Sequence, residues 1–196
     1  MSTILSSLRN TVIAGIILML LIVFFVNTAS GNESVFVMPD IQLAFIMRYI
    51  HVLSGVMWIG ILWYFNFIQI PTMPSIPDAL KPAIGKHIAP EALFWFRWGA
   101  MFTIISGLIL AYMNGYVHQA LMLSPEFRII GIGMWMGIIM WFNVWFIIWP
   151  NQKIALGMVE ADADAKAASA RKAMLFSRTN TLLSIPMLYC MISFHA

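Results

Sequence analysis

A histidine inside an apolar stretch is the first residue in this chain that could do chemistry. The segment reads Arg48-Tyr49-Ile50-His51-Val52-Leu53-Ser54-Gly55-Val56-Met57-Trp58. Arg48, His51, Gly55 and Trp58 are spaced by three and four residues, so on a helix they share one face. A neutral imidazole in an apolar setting is a good ligand for haem iron. A glycine one turn away lets a flat macrocycle approach the backbone. An arginine on the same face can pair with a propionate. The competing reading is structural: His51 hydrogen-bonds a neighbouring helix and Gly55 allows close packing.

A second set of polar residues lies at other points of the apolar segments. Asn66 ends the second segment, Arg97 opens the third, Asn143 sits between Trp141 and Trp145 in the fourth, and Arg178 and Asn180 open the fifth. Two arginines with three amides suit a planar anion, a quinone or haem propionates. Arg97 and Arg178 also lie near helix ends, where long cationic side chains reach headgroups. His118 and His195 are candidates for a second axial ligand, whereas His87 falls in a loop. Met134, Met136 and Met140 are soft ligands of the kind that handles copper. Methionine is also an ordinary gap filler, and copper is disfavoured on that ground. Cys190 is the single cysteine, which rules out a disulfide within the chain or a thiolate cluster. There is no serine nucleophile motif, phosphate loop or paired carboxylate. Carboxylates fall in the loops, which argues against carboxylate acid–base chemistry at membrane depth.

These residues need a scaffold, and composition says what kind. Hydrophobic residues make up 61% of the 196 and charged residues 10%. A soluble domain carries about 25% charge. No fold of this length hides so much apolar surface from water, so lipid must cover it. The net charge of +3 comes from scattered cations, which excludes a nucleic-acid surface. The sequence therefore predicts an all-α fold, a single polytopic membrane domain over 1–196. About five transmembrane helices are expected, near 11–26, 41–68, 94–115, 129–149 and 174–194. The first reads as a retained helix or signal anchor. A charged, Ala-rich stretch within 151–173 reads as a helix at the cytoplasmic surface.

Loop charge sets the orientation. The 27–40 loop has no Lys or Arg, whereas the 70–93 loop has Lys81 and Lys86, and 150–173 has Lys153, Lys166, Arg171 and Lys172. The positive-inside rule puts the N-terminus inside and the C-terminus outside.

Several stretches carry a resemblance. They are His51-Val52-Leu53-Ser54-Gly55-Val56-Met57-Trp58-Ile59-Gly60, Trp63-Tyr64-Phe65-Asn66, Phe96-Arg97-Trp98-Gly99-Ala100, Asn143-Val144-Trp145, Trp149-Pro150-Asn151-Gln152-Lys153, and Ser177-Arg178-Thr179-Asn180-Thr181-Leu182-Leu183-Ser184-Ile185-Pro186-Met187. Over about 41–192 the chain resembles the N-terminal membrane domain of the bacterial cytochrome-c-linked urate oxidases. In that family the membrane domain is coupled to a cytochrome c that accepts electrons from urate oxidation. No Cys-x-x-Cys-His motif occurs in this sequence. The resemblance thus implies a bacterial inner-membrane protein whose electron partner is a separate cytochrome c or quinone.

Two functional expectations follow. The first is a redox module with one haem b or a small planar substrate among helices two to five. His51 is then the ligand or substrate-facing base, with Arg48, Gly55, Trp58, Arg97 and Arg178 around the cofactor and Asn66, Asn143 and Asn180 facing substrate. The second is a non-catalytic subunit that packs against other membrane subunits of a larger enzyme complex.

Overall fold

A computed structural model describes residues 4, 7–29 and 39–194, leaving aside the side chains of 23, 25–29 and 39–42. Six helices account for most of these residues, and no strand occurs among them. The all-α expectation therefore holds. The chain divides into two compact units, Met1–Leu43 and Ala44–Ala196.

The first unit holds α1, Leu8–Ala29. From Val12 to Phe24 its sequence is entirely apolar, with no polar face.

The second unit is a bundle built on α2 (Pro39–Trp63), α3 (Ala89–Met113), the short α4 (Val117–Leu121), α5 (Arg128–Phe142) and α6 (Ala163–Ile192). Three of these helices run on beyond the stated bounds through π-helical turns. Tyr64–Gln69 extends α2, Ile84–Ile88 precedes α3 and Asn143–Ile148 extends α5. Each π turn ends two residues before a proline: Pro71, Pro90 or Pro150. A proline in a regular helix lacks an N–H and clashes with the carbonyl four residues back. Widening that turn relieves both problems. In each case the residue just before the proline donates its N–H five residues back, Ile70 to Phe65 O, Ala89 to Ile84 O and Trp149 to Val144 O. Side-chain amides also reach carbonyls beside two of these turns: Asn66 Nδ2 donates to Leu62 O at 2.9 Å and Asn151 Nδ2 to Ile147 O at 2.7 Å.

The prolines therefore do not end the helices where the sequence suggests. The continuous spans are Leu43–Ser75, Lys81–Met113 and Pro125–Ala155, with 33, 33 and 31 residues. At 1.5 Å per residue each is roughly 45–50 Å long, more than the roughly 30 Å of hydrocarbon in a bilayer. These three helices are long and apolar enough to cross a membrane.

The last helix differs from expectation. It starts at Ala163, capped by Asp162, whose carboxylate accepts from Ala165 N at 2.7 Å. It then runs unbroken to Ile192. The helix expected within 151–173 is not a separate element: 151–155 complete the span Pro125–Ala155, and 163–173 are the first turns of α6. The polar residues of α6 lower its hydropathy below that of the other three, yet its buried stripe explains them. Ser169, Ala173, Ser177, Asn180, Ser184, Met187 and Cys190 recur every three or four residues along one face. Small residues on such a face let helices approach closely in a membrane. The α6 stripe packs most extensively on α5 and its continuation. At Gly133 of α5 an added Cβ would lie 2.9 Å from Cys190 Cβ, too close for any larger residue.

Candidate functional site

Two polar regions occupy the second unit. The first surrounds His51. This residue sits on α2, partly buried, and faces α3. Its Nδ1–H donates to the Thr103 carbonyl oxygen at 2.8 Å. A carbonyl oxygen can only accept, so Nδ1 carries the proton and the lone pair of the neutral ring lies on Nε2. Nearby hydroxyls also bond the α3 backbone: Thr103 Oγ1 donates to Gly99 O at 2.7 Å, and Ser106 Oγ makes a second, longer contact with Thr103 O at 3.3 Å. The Cε1–Nδ1 edge of the ring lies against Gly107, where an added Cβ would stand 2.7 Å from Cε1 and 2.8 Å from Nδ1. Glycine is required there for the imidazole to reach Thr103.

His51 borders a cavity of about 810 Å³ between α2, α3, α5 and α6. Small-molecule sites usually measure about 300–1,000 Å³. Arg48, Gly55 and Trp58 line the same cavity, so the face expected on α2 is present as a unit. The Trp58 indole is buried and its Nε1–H finds no acceptor among the described residues. Most of the lining is apolar, and Arg48, Asn114 and Tyr116 gather at one end. Tyr116 is stacked on Phe127 at 5.4 Å and edged by Phe194 at 5.1 Å, closing that end with aromatic rings. Burial raises the Tyr116 phenol above its ordinary range, opposed by the Asn114 side chain and the charge of Arg48.

The second region is a layer of amides and hydroxyls. Asn143 Nδ2 donates to Asn180 Oδ1 at 2.8 Å, and Asn180 Nδ2 donates to Met140 O at 2.9 Å. Asn66 Nδ2 also donates to Ser177 Oγ at 2.8 Å, and Trp63 Nε1 to Ser184 Oγ at 3.0 Å. These bonds tie α6 to α2 and α5 in a setting without water.

The remaining candidates are scattered. Arg97 lies 3.4 Å over the Trp149 ring, a cation–π contact, with Nη1 buried and unpaired. Neither Arg97 nor Arg178 lines the cavity, and Arg178 is exposed on α6. His118 and His87 are exposed as well. His195 lies outside the described residues. Thr103, Gly107, Asn114 and Tyr116 were not visible as site residues in the sequence, because Thr, Gly, Asn and Tyr are unremarkable near the end of an apolar helix. No group of three or more His, Cys, Asp or Glu side chains that could hold a bare metal ion occurs among the described residues.

Comparison with known proteins bears on the C-terminal part. Residues 120–196 match the family model described as Urate oxidase N-terminal. That segment is urate oxidase N-terminal-like. It covers the end of α4 together with α5 and α6, and so includes Asn143, Arg178 and Asn180. His51 and Arg97 lie outside it. No curated protein and no solved structure matches the chain.

Proposed function

We propose that this urate oxidase N-terminal-like chain is a membrane redox module that holds one b-type haem, with His51 as an axial ligand. The observation that carries the reading is the anchored tautomer of His51. Histidines that bind metals almost always donate their second ring N–H to a carbonyl or carboxylate, which fixes the ring and raises its basicity. His51 has that partner in Thr103 O, and the remaining nitrogen has no hydrogen bond within the described residues.

The surroundings fit the same group. The cavity has the apolar lining and volume that a macrocycle needs, and Arg48 stands at its polar end to pair with a carboxylate. Asn114 and Tyr116 add hydrogen-bonding groups there. A haem held here supplies reversible one-electron transfer. The helices exclude water from His51, and Gly107 and Thr103 keep its ring from turning.

In this reading the chain is a multi-pass protein of the bacterial inner membrane. Its basic loops lie in the cytoplasm, so the Arg48 end faces the periplasm. The electron partner is a separate cytochrome c at that side, or quinone within the bilayer.

The test is direct. The full chain is purified in mild detergent, and visible spectra are taken oxidised and reduced, beside His51→Ala. A Soret band that the variant loses supports the reading. A colourless wild-type protein defeats it and favours the accessory-subunit reading, which expects partner chains to copurify.

A further inference from the structure

The cavity has two unlike walls. From α2 and α3 come His51 and the groups that hold it. From α5 and α6 come three thioethers, Met134, Met187 and Met191. No second histidine lines the cavity among the described residues. His51 therefore has no imidazole to share an iron with, but it has sulfur.

Depth within the bundle separates the three methionines. The His51 ring rests on Gly107 of α3, next to Leu108. Leu108 belongs to the apolar cluster that contains Met134 and Met191, together with Ala111 and Tyr116. Met187 belongs instead to the cluster around Trp58, Leu62 and Phe96, further toward the amide layer, and Met191 packs against both clusters. Met191 is committed elsewhere: its methyl carbon lies 3.3 Å from the point where a Gly133 side chain would begin, so its tip is turned onto α5. Met134 is left, at the depth of the imidazole and on the α5 wall.

We propose that Met134 is the second axial ligand of the haem, binding through Sδ, so that His51 and Met134 hold the iron from α2 and α5. The inference rests on the haem reading above. A thioether is neutral and has no proton to lose, so it fits an apolar wall at little desolvation cost. Compared with a second imidazole, methionine raises the reduction potential of the iron. A high potential suits a module that takes electrons from a substrate and gives them to a cytochrome c.

The experiment uses the full-length, haem-loaded protein. The wild type is expected to be low-spin in both oxidation states, to show the near-infrared sulfur-to-iron charge-transfer band when oxidised, and to bind carbon monoxide poorly when reduced. Met134→Leu keeps the volume and removes the sulfur. It is expected to turn high-spin, to lose the near-infrared band and to bind carbon monoxide readily, while Met191→Leu leaves all three unchanged. Should Met134→Leu fail to retain haem, Met134→His is expected to restore a low-spin spectrum without the band and with a lowered midpoint potential.

A wild-type haem that is already high-spin, or lacks the near-infrared band, overturns Met134 and leaves the His51 reading standing. So does a Met134→Leu protein with an unchanged spectrum, or a Met134→His protein that is not low-spin. A colourless wild type overturns the haem reading itself, and this inference with it.

Discussion

The His51 cavity and the amide layer contain the same kind of anomaly, polar groups buried in an apolar bundle, but they resolve it differently. In the layer, Asn143, Asn180, Asn66 and Trp63 all direct their N–H groups to partners on neighbouring helices or turns. Asn66, Asn143 and Asn180 do not line the cavity, although Trp63 does. Around His51 one nitrogen is anchored and the other is not, and about 810 Å³ of space adjoins it. Burial of a polar group in a membrane is costly, so in both places the residue must have a purpose. Cost alone does not say which. What separates glue from a site is the hydrogen-bonding capacity left over and whether there is room to use it. By that measure the layer is mostly glue, although Asn66 Oδ1 remains unpaired within it.

The largest expected effect falls on the cavity. His51→Ala should abolish the Soret band while the helical circular dichroism of the protein stays unchanged. Parallel loss of both would erase the contrast and make His51 another piece of glue. Gly107→Ala tests the anchor without replacing His51. The new Cβ would stand 2.7 Å from the imidazole, so the ring must swing away from Thr103 O. Supporting contacts of this kind are worth about 10–100-fold in metal affinity. Haem retention on dilution should fall by about that factor, with little change in thermal stability. An unaffected haem would show that the Thr103 bond does not orient the ligand.

Next in size is the layer. Asn180 is fully buried and joins Asn143 to the Met140 carbonyl. Asn180→Leu keeps the shape and leaves an unpaired Asn143 amide. Interhelical hydrogen bonds in membranes are worth about 0.6–2 kcal/mol, and a stranded partner adds to that. The expected result is a clear drop in melting temperature measured in detergent, with the haem spectrum unchanged. Arg178→Ala, two residues away but exposed, should leave both readouts unmoved. A spectral change in Asn180→Leu would join the two regions into one site.

The sequence carried much of this contrast and missed its detail for definite reasons. The apolar segments and the all-α fold follow from composition. His51, Asn66, Asn143 and Asn180 stand out because lipid makes polar residues conspicuous. The segment bounds fell short: those expected at 68, 94 and 149 stop beside Pro71, Pro90 and Pro150, whereas π turns carry the helices past these prolines. Their regular place two residues after each turn could have suggested this. Arg178 misled in another way, since its neighbours Ser177 and Asn180 do face inward, but a position one residue round the helix points out. The partners of His51 could not be read at all. A backbone carbonyl has no residue type, and Gly107 looks like any other glycine until the ring is found against it.

The smallest effect lies at the polar end of the cavity, and its sign can be worked out. Burial raises the Tyr116 phenol above its ordinary value of 10.0, more than Asn114 and Arg48 lower it. The folded protein therefore holds the phenol proton more tightly than the unfolded chain does. That preference is fully present below pH 10.0 and is lost as the pH rises through the folded value. Above pH 10.0 only the unfolded chain ionises freely, so stability should decline there. Tyr116→Phe removes the ionisation and keeps the ring on Phe127. Melting temperatures taken on either side of pH 10.0 should therefore converge toward a flatter profile in the variant. Equal alkaline losses in both proteins would mean that Tyr116 is in free contact with water, and that the aromatic rings do not close that end of the cavity. Its contrast with the sealed amide layer would then be between an open cleft and a closed core, and the water exclusion assigned to His51 would have to come from the bilayer alone.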